Sequence, residues 1–496
     1  MARLRASPLE RGRRTNTRPL GNGHSVSDTE GETEMTHLVR RHLLFALAIL
    51  AVAVLTAAFA STSEATGSHV PEHNPIIFVH GGAGSGAQFE SQAMRFTSRG
   101  YDADEIHVLE YDSSNPAYYF GANPPIRAQL DALIADALAD SDADQVDLLG
   151  HSLGTFVSQG YLNSDPARAA LVEHYVNIDG AQALAPPGGV ETLAIWAGTG
   201  TPGRQIVGAE NVTLPGQSHV QSATSAEAFA AMYEFFTGEE PNTTHILPTL
   251  FVQLEGRAVI FPENEGVQDA TLEVWRVRSQ NGHRIGHNPV ATFALNGDGS
   301  FGPFWGSSLF HYEFAIVRDG APTHHLYYDR FVRSDHLIRL NTSLPGEGLG
   351  ANVEPGDNHA SATVVRYKEM WGDQGASNDI LEINGENVLN AATSPASNST
   401  NAMFAYDVGS DGVTDLSAPI PVFFAAPFIS GVDVFMPAET PPKGKITFEM
   451  EHRDSGGLTD RINTPNWAST TDRMTIQFND YAQKCSLLTW WWCFVD

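Results

Sequence analysis

The sequence predicts an α/β domain, with a mostly parallel sheet covered by helices on both faces, followed by C-terminal all-β, sandwich-like domains. Three observations carry this. Apolar runs ending in glycine alternate with helix-period segments up to about residue 240. Beyond that point the chain changes to short β-branched and aromatic runs broken by turns. Finally, 496 residues, 42% of them hydrophobic, are enough for several packed domains.

The elements follow in order. Residues 1–60 read as a leader: Arg40 and Arg41 precede an apolar run from Leu43 to Ala60 that closes in Ala58-Phe59-Ala60, the order of a secretory signal. Export is the expectation, with an outward-facing membrane anchor as the alternative, because the run is short for a span. Residues 61–240 form the α/β domain. NPIIFVHGG is a buried strand, SQAMRFTSRGY an amphipathic helix and EIHVLEY a second strand. IRAQLDALIADALAD places Ile126, Leu130, Leu133, Ile134 and Leu138 on one helical face. QVDLLGHS is a strand leading into a helix from about Gly154 to Asn163. HYVNID, TLAIWAG and ENVTLPG are further strands, and SAEAFAAMYEFFTG is a closing helix stopped by Gly238. In such sheets chemistry collects at the carboxyl ends of the strands.

TGEEPNTTHILPT reads as a linker into a β-sandwich-like domain over 249–345. After the break SLPGEGLGANVEPGDN a second one spans 355–480, with VFFAAPFISGVDVFM among its strands, and 481–496 is a hydrophobic tail. The tail holds both cysteines, Cys485 and Cys493, as a terminal loop or as two free thiols. The net charge is -29 with only 18% charged residues, which describes an acidic globular surface that repels phosphate. Nucleic acid and anionic bilayers are therefore set aside as electrostatic partners.

The stretch VDLLGHSLGT carries the chemistry. Ser152 follows a strand directly, precedes a helix, and is flanked by Gly150 and Gly154, the G-x-S-x-G setting of a strained turn that exposes a nucleophilic hydroxyl. A serine nucleophile needs a base, and the base an orienting carboxylate. His219, in the loop PGQSHV between the last strand and the last helix, is placed to reach over the sheet edge; His151 instead shapes the turn. Five carboxylates lie between Ser152 and His219. Asp165 follows a helix, and Glu173, Glu191 and Glu210 come at strand beginnings. Asp179 alone ends a strand, in HYVNIDGA, on the edge of Ser152. The oxyanion donors are the N–H of Leu153, just after the nucleophile, and that of Gly82 in HGGAGS. HGGAGS lacks the spacing of a dinucleotide loop. The chain holds no HExxH, CxxC or phosphate-loop motif, and NGDGS and DVGSDGVTD read as turns rather than calcium loops. No cofactor or metal is expected.

With these motifs in this order, the chain resembles an α/β-hydrolase of the secreted lipase and esterase group, specifically archaeal-type alkaline lipases with a C-terminal β-domain. The motifs carry the likeness over 71–240; over 249–480 only β-rich character and domain order do. The resemblance implies carboxylester hydrolysis through Ser152, Asp179 and His219, a small lid, a lipid-binding C-terminal domain, and an ester or lipid substrate met at an oil–water interface. Gly82 departs from the family, which often has a bulkier apolar residue there; this bears on acyl preference. The segment 112–125, with Tyr118, Tyr119 and Phe120, is the lid candidate, or else a loop whose aromatics pack inward. Short-chain esterase and polyester depolymerase are the enzymatic alternatives, and a surface adhesion protein with an inert hydrolase domain is the non-enzymatic one. Because 61–240 holds nucleophile, acid, base and oxyanion loop, its chemistry is expected to be self-contained, with the β-domains docking insoluble substrate.

Overall fold

The computed structural model describes residues 73–114, 124–141, 143–482, 486–489 and 494. The leader, the aromatics Tyr118, Tyr119 and Phe120, and both cysteines lie outside the described residues.

Strands Ile76–Val79 (β1), Ile106–Leu109 (β2), Val146–His151 (β3), Val172–Ile178 (β4), Glu191–Ala197 (β5) and Glu210–Leu214 (β6) form one sheet in the order β2-β1-β3-β4-β5-β6. Every pairing in it is parallel. Because both faces are covered, the strands read as continuous apolar runs rather than alternating ones. Ile76 and Phe78 pack into one core with Leu149, Val176 and Ile195, while Ile77 and Val79 enter the opposite core with Leu148. Helices Glu90–Thr97 (α1), Pro124–Ser141 (α2), Leu153–Leu162 (α3), Pro166–Ala169 (α4), Gln221–Thr224 (α5) and Ala226–Thr237 (α6) follow the expected alternation. The first core is closed by Phe96 of α1 with Phe229 and Met232 of α6, and the second by Leu130 and Ile134 of α2 with Val157 and Tyr161 of α3. Each such side chain, fully buried, contributes roughly 1.5–3 kcal/mol. Ser225 caps α6 by accepting from the Ala228 N–H, and Gly238 ends it in the left-handed region.

Downstream come β7 (Phe251–Ile260), β8 (Glu265–Gly266), β9 (Ala270–Val277), β10 (Ala291–Leu295), β11 (Ser300–Ser307), β12 (His311–Val317), β13 (Thr323–Tyr328) and β14 (Asp335–Thr342). Then follow β15 (Ala362–Val365), β16 (Ile380–Ile383), β17 (Glu386–Asn387), β18 (Ala402–Tyr406), β19 (Ile429–Asp433), β20 (Lys445–Glu451), β21 (Thr459–Pro465) and β22 (Asp472–Gln477). An eight-stranded sheet runs β10-β9-β12-β13-β22-β15-β18-β19; two smaller sheets run β11-β7-β14, with β8 on β7, and β17-β16-β20-β21. The large sheet crosses the break expected near 343–358, because β13 pairs in parallel with β22, and β22 with β15. The β-rich units on either side of that break are thereby joined through one sheet.

Strand β14 also lies against the parallel-sheet part. Leu337 enters its core, His336 Nε2 donates to the Ile106 carbonyl at 3.1 Å, and Arg333 Nε donates to Thr97 Oγ1 at 2.8 Å. One expected strand departs from its reading: within VFFAAPFISGVDVFM, Pro421–Phe424 (α7) form a helical turn with proline at its start, and strand begins only at Ile429. No helix among the described residues is long and apolar enough to cross a membrane.

Candidate active site

Ser152 sits between β3 and α3 with φ 52° and ψ -118°. This is a conformation that L-residues rarely adopt and that surrounding structure must hold. The flanking glycines explain how. A Cβ on Gly154 would stand 2.1 Å from the Val79 carbonyl oxygen, and one on Gly150 would stand 2.7 Å from that of Gly154. The turn is therefore packed backbone against backbone, and the Ser152 N–H donates to the Ile178 carbonyl at 3.0 Å. The Leu153 side chain is buried in the core, while its N–H opens α3, where no carbonyl of the helix can accept it.

Asp179 follows β4 directly, on the same sheet edge. Its N–H donates to the Ile195 carbonyl at 2.8 Å, and Oδ1 accepts the Ala197 N–H at 2.7 Å and pairs with Arg204 at 2.6 Å. Oδ2 accepts from His219 Nδ1 at 2.6 Å. Burial pushes the Asp179 carboxyl up, but the His219 contact, the Ala197 N–H and Arg204 outweigh it and bring the pKa down to about 2. A neutral His219 that donates through Nδ1 keeps Nε2 as an acceptor. Ser152 and His219 line the same cavity, and no hydrogen bond joins Ser152 Oγ to the imidazole among the described residues. Such contacts commonly tighten when substrate arrives. The other four carboxylates are exposed: Asp165 caps α4, and Glu173, Glu191 and Glu210 stand at the beginnings of β4, β5 and β6.

His151 is buried beside His219, ring centroids 4.7 Å apart, and its Nε2 donates to the His219 carbonyl at 3.0 Å. Burial, followed by the neighbouring His219, pushes its pKa down to about 3, so it stays neutral and holds the loop. The Gly81–Gly84 loop abuts Ser152: a Cβ on Gly81 would lie 3.1 Å from the Cβ of Ser152. The Gly81 N–H is taken by Gln88 Oε1 at 3.2 Å, whereas Gly82 lines the cavity.

Side chains from beyond residue 240 also reach the loops of the site. Asn264 donates to the carbonyls of Gly84 at 2.9 Å and Tyr111 at 3.0 Å, and Arg339 pairs with Glu110, which in turn accepts the Gly86 N–H at 3.0 Å. Glu369 and Arg453 reach the loop of His219. These side chains come from the β-rich region, which no local spacing ties to the motifs. Arg204, which no motif marks, stands just past β5 and pairs with Asp179. Its guanidinium lies 5.0 Å from the Trp196 ring centroid and donates to the Ala197 carbonyl at 3.2 Å. No motif marks Phe428 either. Its φ of 64° is strained for a bulky residue, and its ring stacks 6.3 Å from that of His219.

The cavity has a volume of about 970 Å³. Gly82, Ser152 and His219 line one end, and Leu326, Tyr328, Phe404, Phe428 and Met474 of the β-rich region supply much of the remaining wall. Among the described residues one group has metal-compatible geometry, Asp147, Glu173 and His174. It lies at the amino ends of β3 and β4, away from Ser152, and His174 Nδ1 is already bonded to Asp147 at 2.9 Å.

A parallel sheet with a strained serine turn and an Asp–His pair at its carboxyl edge defines the class, and residues 76–294 match the α/β-hydrolase family. The Lipase C-terminal domain matches residues 251–345, and a further C-terminal domain family matches 348–482. Residues 76–294 thus carry an α/β-hydrolase domain, and together with the Lipase C-terminal domain match this supports an ester hydrolase. Among solved structures it is similar to lipase B of Aspergillus fumigatus, at 15% identity and a TM-score of 0.28, covering 36% of this chain and 56% of that one. It is also similar to carboxylesterase CesB of Bacillus subtilis, at 14% identity and a TM-score of 0.25, covering 34% of this chain and 86% of that one.

Proposed function

We propose that the chain is an exported serine carboxylester hydrolase acting on esters with long apolar acyl groups, triacylglycerols among them. The observation that carries this reading is the meeting of Ser152, the Asp179–His219 pair and a largely apolar cavity of about 970 Å³ at one sheet edge. That volume is near the upper end of small-molecule sites, roughly 300–1,000 Å³. Ser152 Oγ attacks the ester carbonyl carbon while His219 Nε2 takes its proton. Asp179 holds the ring through Nδ1 and balances the imidazolium. The N–H groups of Gly82 and Leu153 receive the oxyanion. Collapse expels the alkoxide, which His219 protonates, and water then repeats the sequence on the acyl-enzyme. The leader motif supports export, and the apolar wall from the β-rich region supports work at a lipid surface.

The test is hydrolysis of p-nitrophenyl esters from acetate to palmitate by the full-length protein, with Ser152→Ala as control. The variant should lose on the order of 10⁴-fold or more in kcat with unchanged circular dichroism. Activity of Ser152→Ala within about tenfold of wild type would overturn the assignment. A maximum at acetate would replace long-chain esters with short ones.

A further inference from the structure

Glu369 belongs to the β-rich region, yet its carboxylate is spent on the loop of His219. It is fully buried. One oxygen accepts the Val220 N–H at 2.7 Å, and the other accepts the Gln221 N–H at 3.2 Å and the Ser218 hydroxyl. These donors bracket His219 in the chain. A buried carboxylate is tolerated only where donors converge on it, so Glu369 and the loop fix each other.

Glu369 is itself held rigidly. Arg366, wholly buried, donates to the Lys368 carbonyl at 2.9 Å and the Glu369 carbonyl at 2.6 Å, and pairs with Asp379 at 2.9 Å. Arg453 pairs with the same Asp379 at 2.7 Å, donates to Gln221 Oε1 at 2.7 Å, and stacks 3.9 Å over Trp371. Burial pushes the Asp379 carboxyl up, but the two guanidiniums outweigh it and hold it far below the usual carboxylate range. At His219 itself Asp179 holds the ring, while His151 Nε2 and the Ser222 hydroxyl donate to the carbonyl at 3.0 Å and 2.8 Å. The first fixes one ring atom and the other two a single backbone oxygen; none alone sets where Nε2 points.

We propose that Glu369 is the positioning residue of the base: it fixes the backbone on both sides of His219 so that the imidazole stays on Asp179 with Nε2 directed at Ser152. The proposal rests on the Ser152, Asp179 and His219 reading above. Glu369→Gln keeps the size but turns an amide toward N–H donors. In the full-length protein kcat on p-nitrophenyl butyrate should fall by on the order of 10²-fold, the scale of a small misplacement, with KM within about threefold. The downfield proton resonance of the His219–Asp179 hydrogen bond should broaden. A purely structural role would lower thermal stability but leave kcat per folded molecule and that resonance at wild-type values, and this result overturns the proposal. If Glu369→Gln does not fold, Ser218→Ala removes one of the three donors. A several-fold loss of kcat at constant KM then supports the proposal, and wild-type kcat overturns it. Full activity in Ser152→Ala would instead overturn the underlying triad, whereas an inactive Ser152→Ala beside a wild-type Glu369→Gln overturns the positioning role alone.

Discussion

The loop of Ser152 and the loop of His219 stand on one sheet edge but draw their restraints from opposite places. The serine turn is built from its own neighbourhood: Gly150 and Gly154 close it, β1 presses on it, and Ile178 of the adjacent strand takes its N–H. The histidine loop has ties to Asp179, His151 and Ser222 but is also bound by Glu369 and Arg453, far along the chain. A short motif advertises the first kind of site, because the glycines that let the strands crowd the turn lie within the motif. The second kind has no sequence signature of its own.

Asp179 falls on the local side of this comparison, and replacing it has the largest expected effect of the substitutions that sharpen it. Asp179→Asn should lower kcat by on the order of 10⁴-fold, the loss measured for a triad acid on a different fold. Glu191→Gln, exposed at the opposite sheet edge, should leave kcat unchanged. A nearly silent Asp179→Asn would show that the acid lies elsewhere.

Arg204 comes next. Asp179 titrates near 2 against an ordinary 3.8, so its folded pKa is depressed. It contributes stability above about pH 4 that is lost as pH falls toward 2. Arg204→Gln should raise the folded pKa and shrink that contribution. Urea unfolding from pH 6 to pH 2 should show a deficit on the order of 1 kcal/mol at pH 6 that vanishes near pH 2. A deficit that persists at pH 2 would mean that packing against Trp196, not charge, is what Arg204 supplies.

The smallest effect belongs to an ion pair of the same region that reaches no loop of the site. Glu449 pairs with Arg461, whose side chain is 59% exposed. Glu449→Gln should cost less than about 0.5 kcal/mol and leave kcat at its wild-type value. A kcat loss like that expected of Glu369→Gln would show that ion pairs anywhere in the β-rich region act through general stability.

The parallel sheet was legible because strands buried on both faces and helices with one apolar stripe leave distinct periods, as in IIFV and in the Ile126, Leu130, Ile134 stripe. The convergence of Ser152, Asp179 and His219 was legible because the carboxyl ends of parallel strands meet at one edge. The β-rich region was read less well. Strand β21 is hard to read because the polar Asp460, Arg461 and Asn463 of TDRINTP mask its period. The α7 turn was taken for strand because Val422, Phe423 and Phe424 favour β structure and only Pro421 argues otherwise. Arg204, Glu369 and Phe428 matter through contacts that only the folded chain makes.

The pairing of β13 with β22 sets an order on biosynthesis. Strand β22 occupies the middle of the eight-stranded sheet, between β13 and β15, so the sheet has a central gap until residues 472–477 have been made. Pairing across so long a stretch of chain is slow relative to local contacts. Strands β12 and β13 on one side and β15 and β18 on the other are thus made before the strand that joins them.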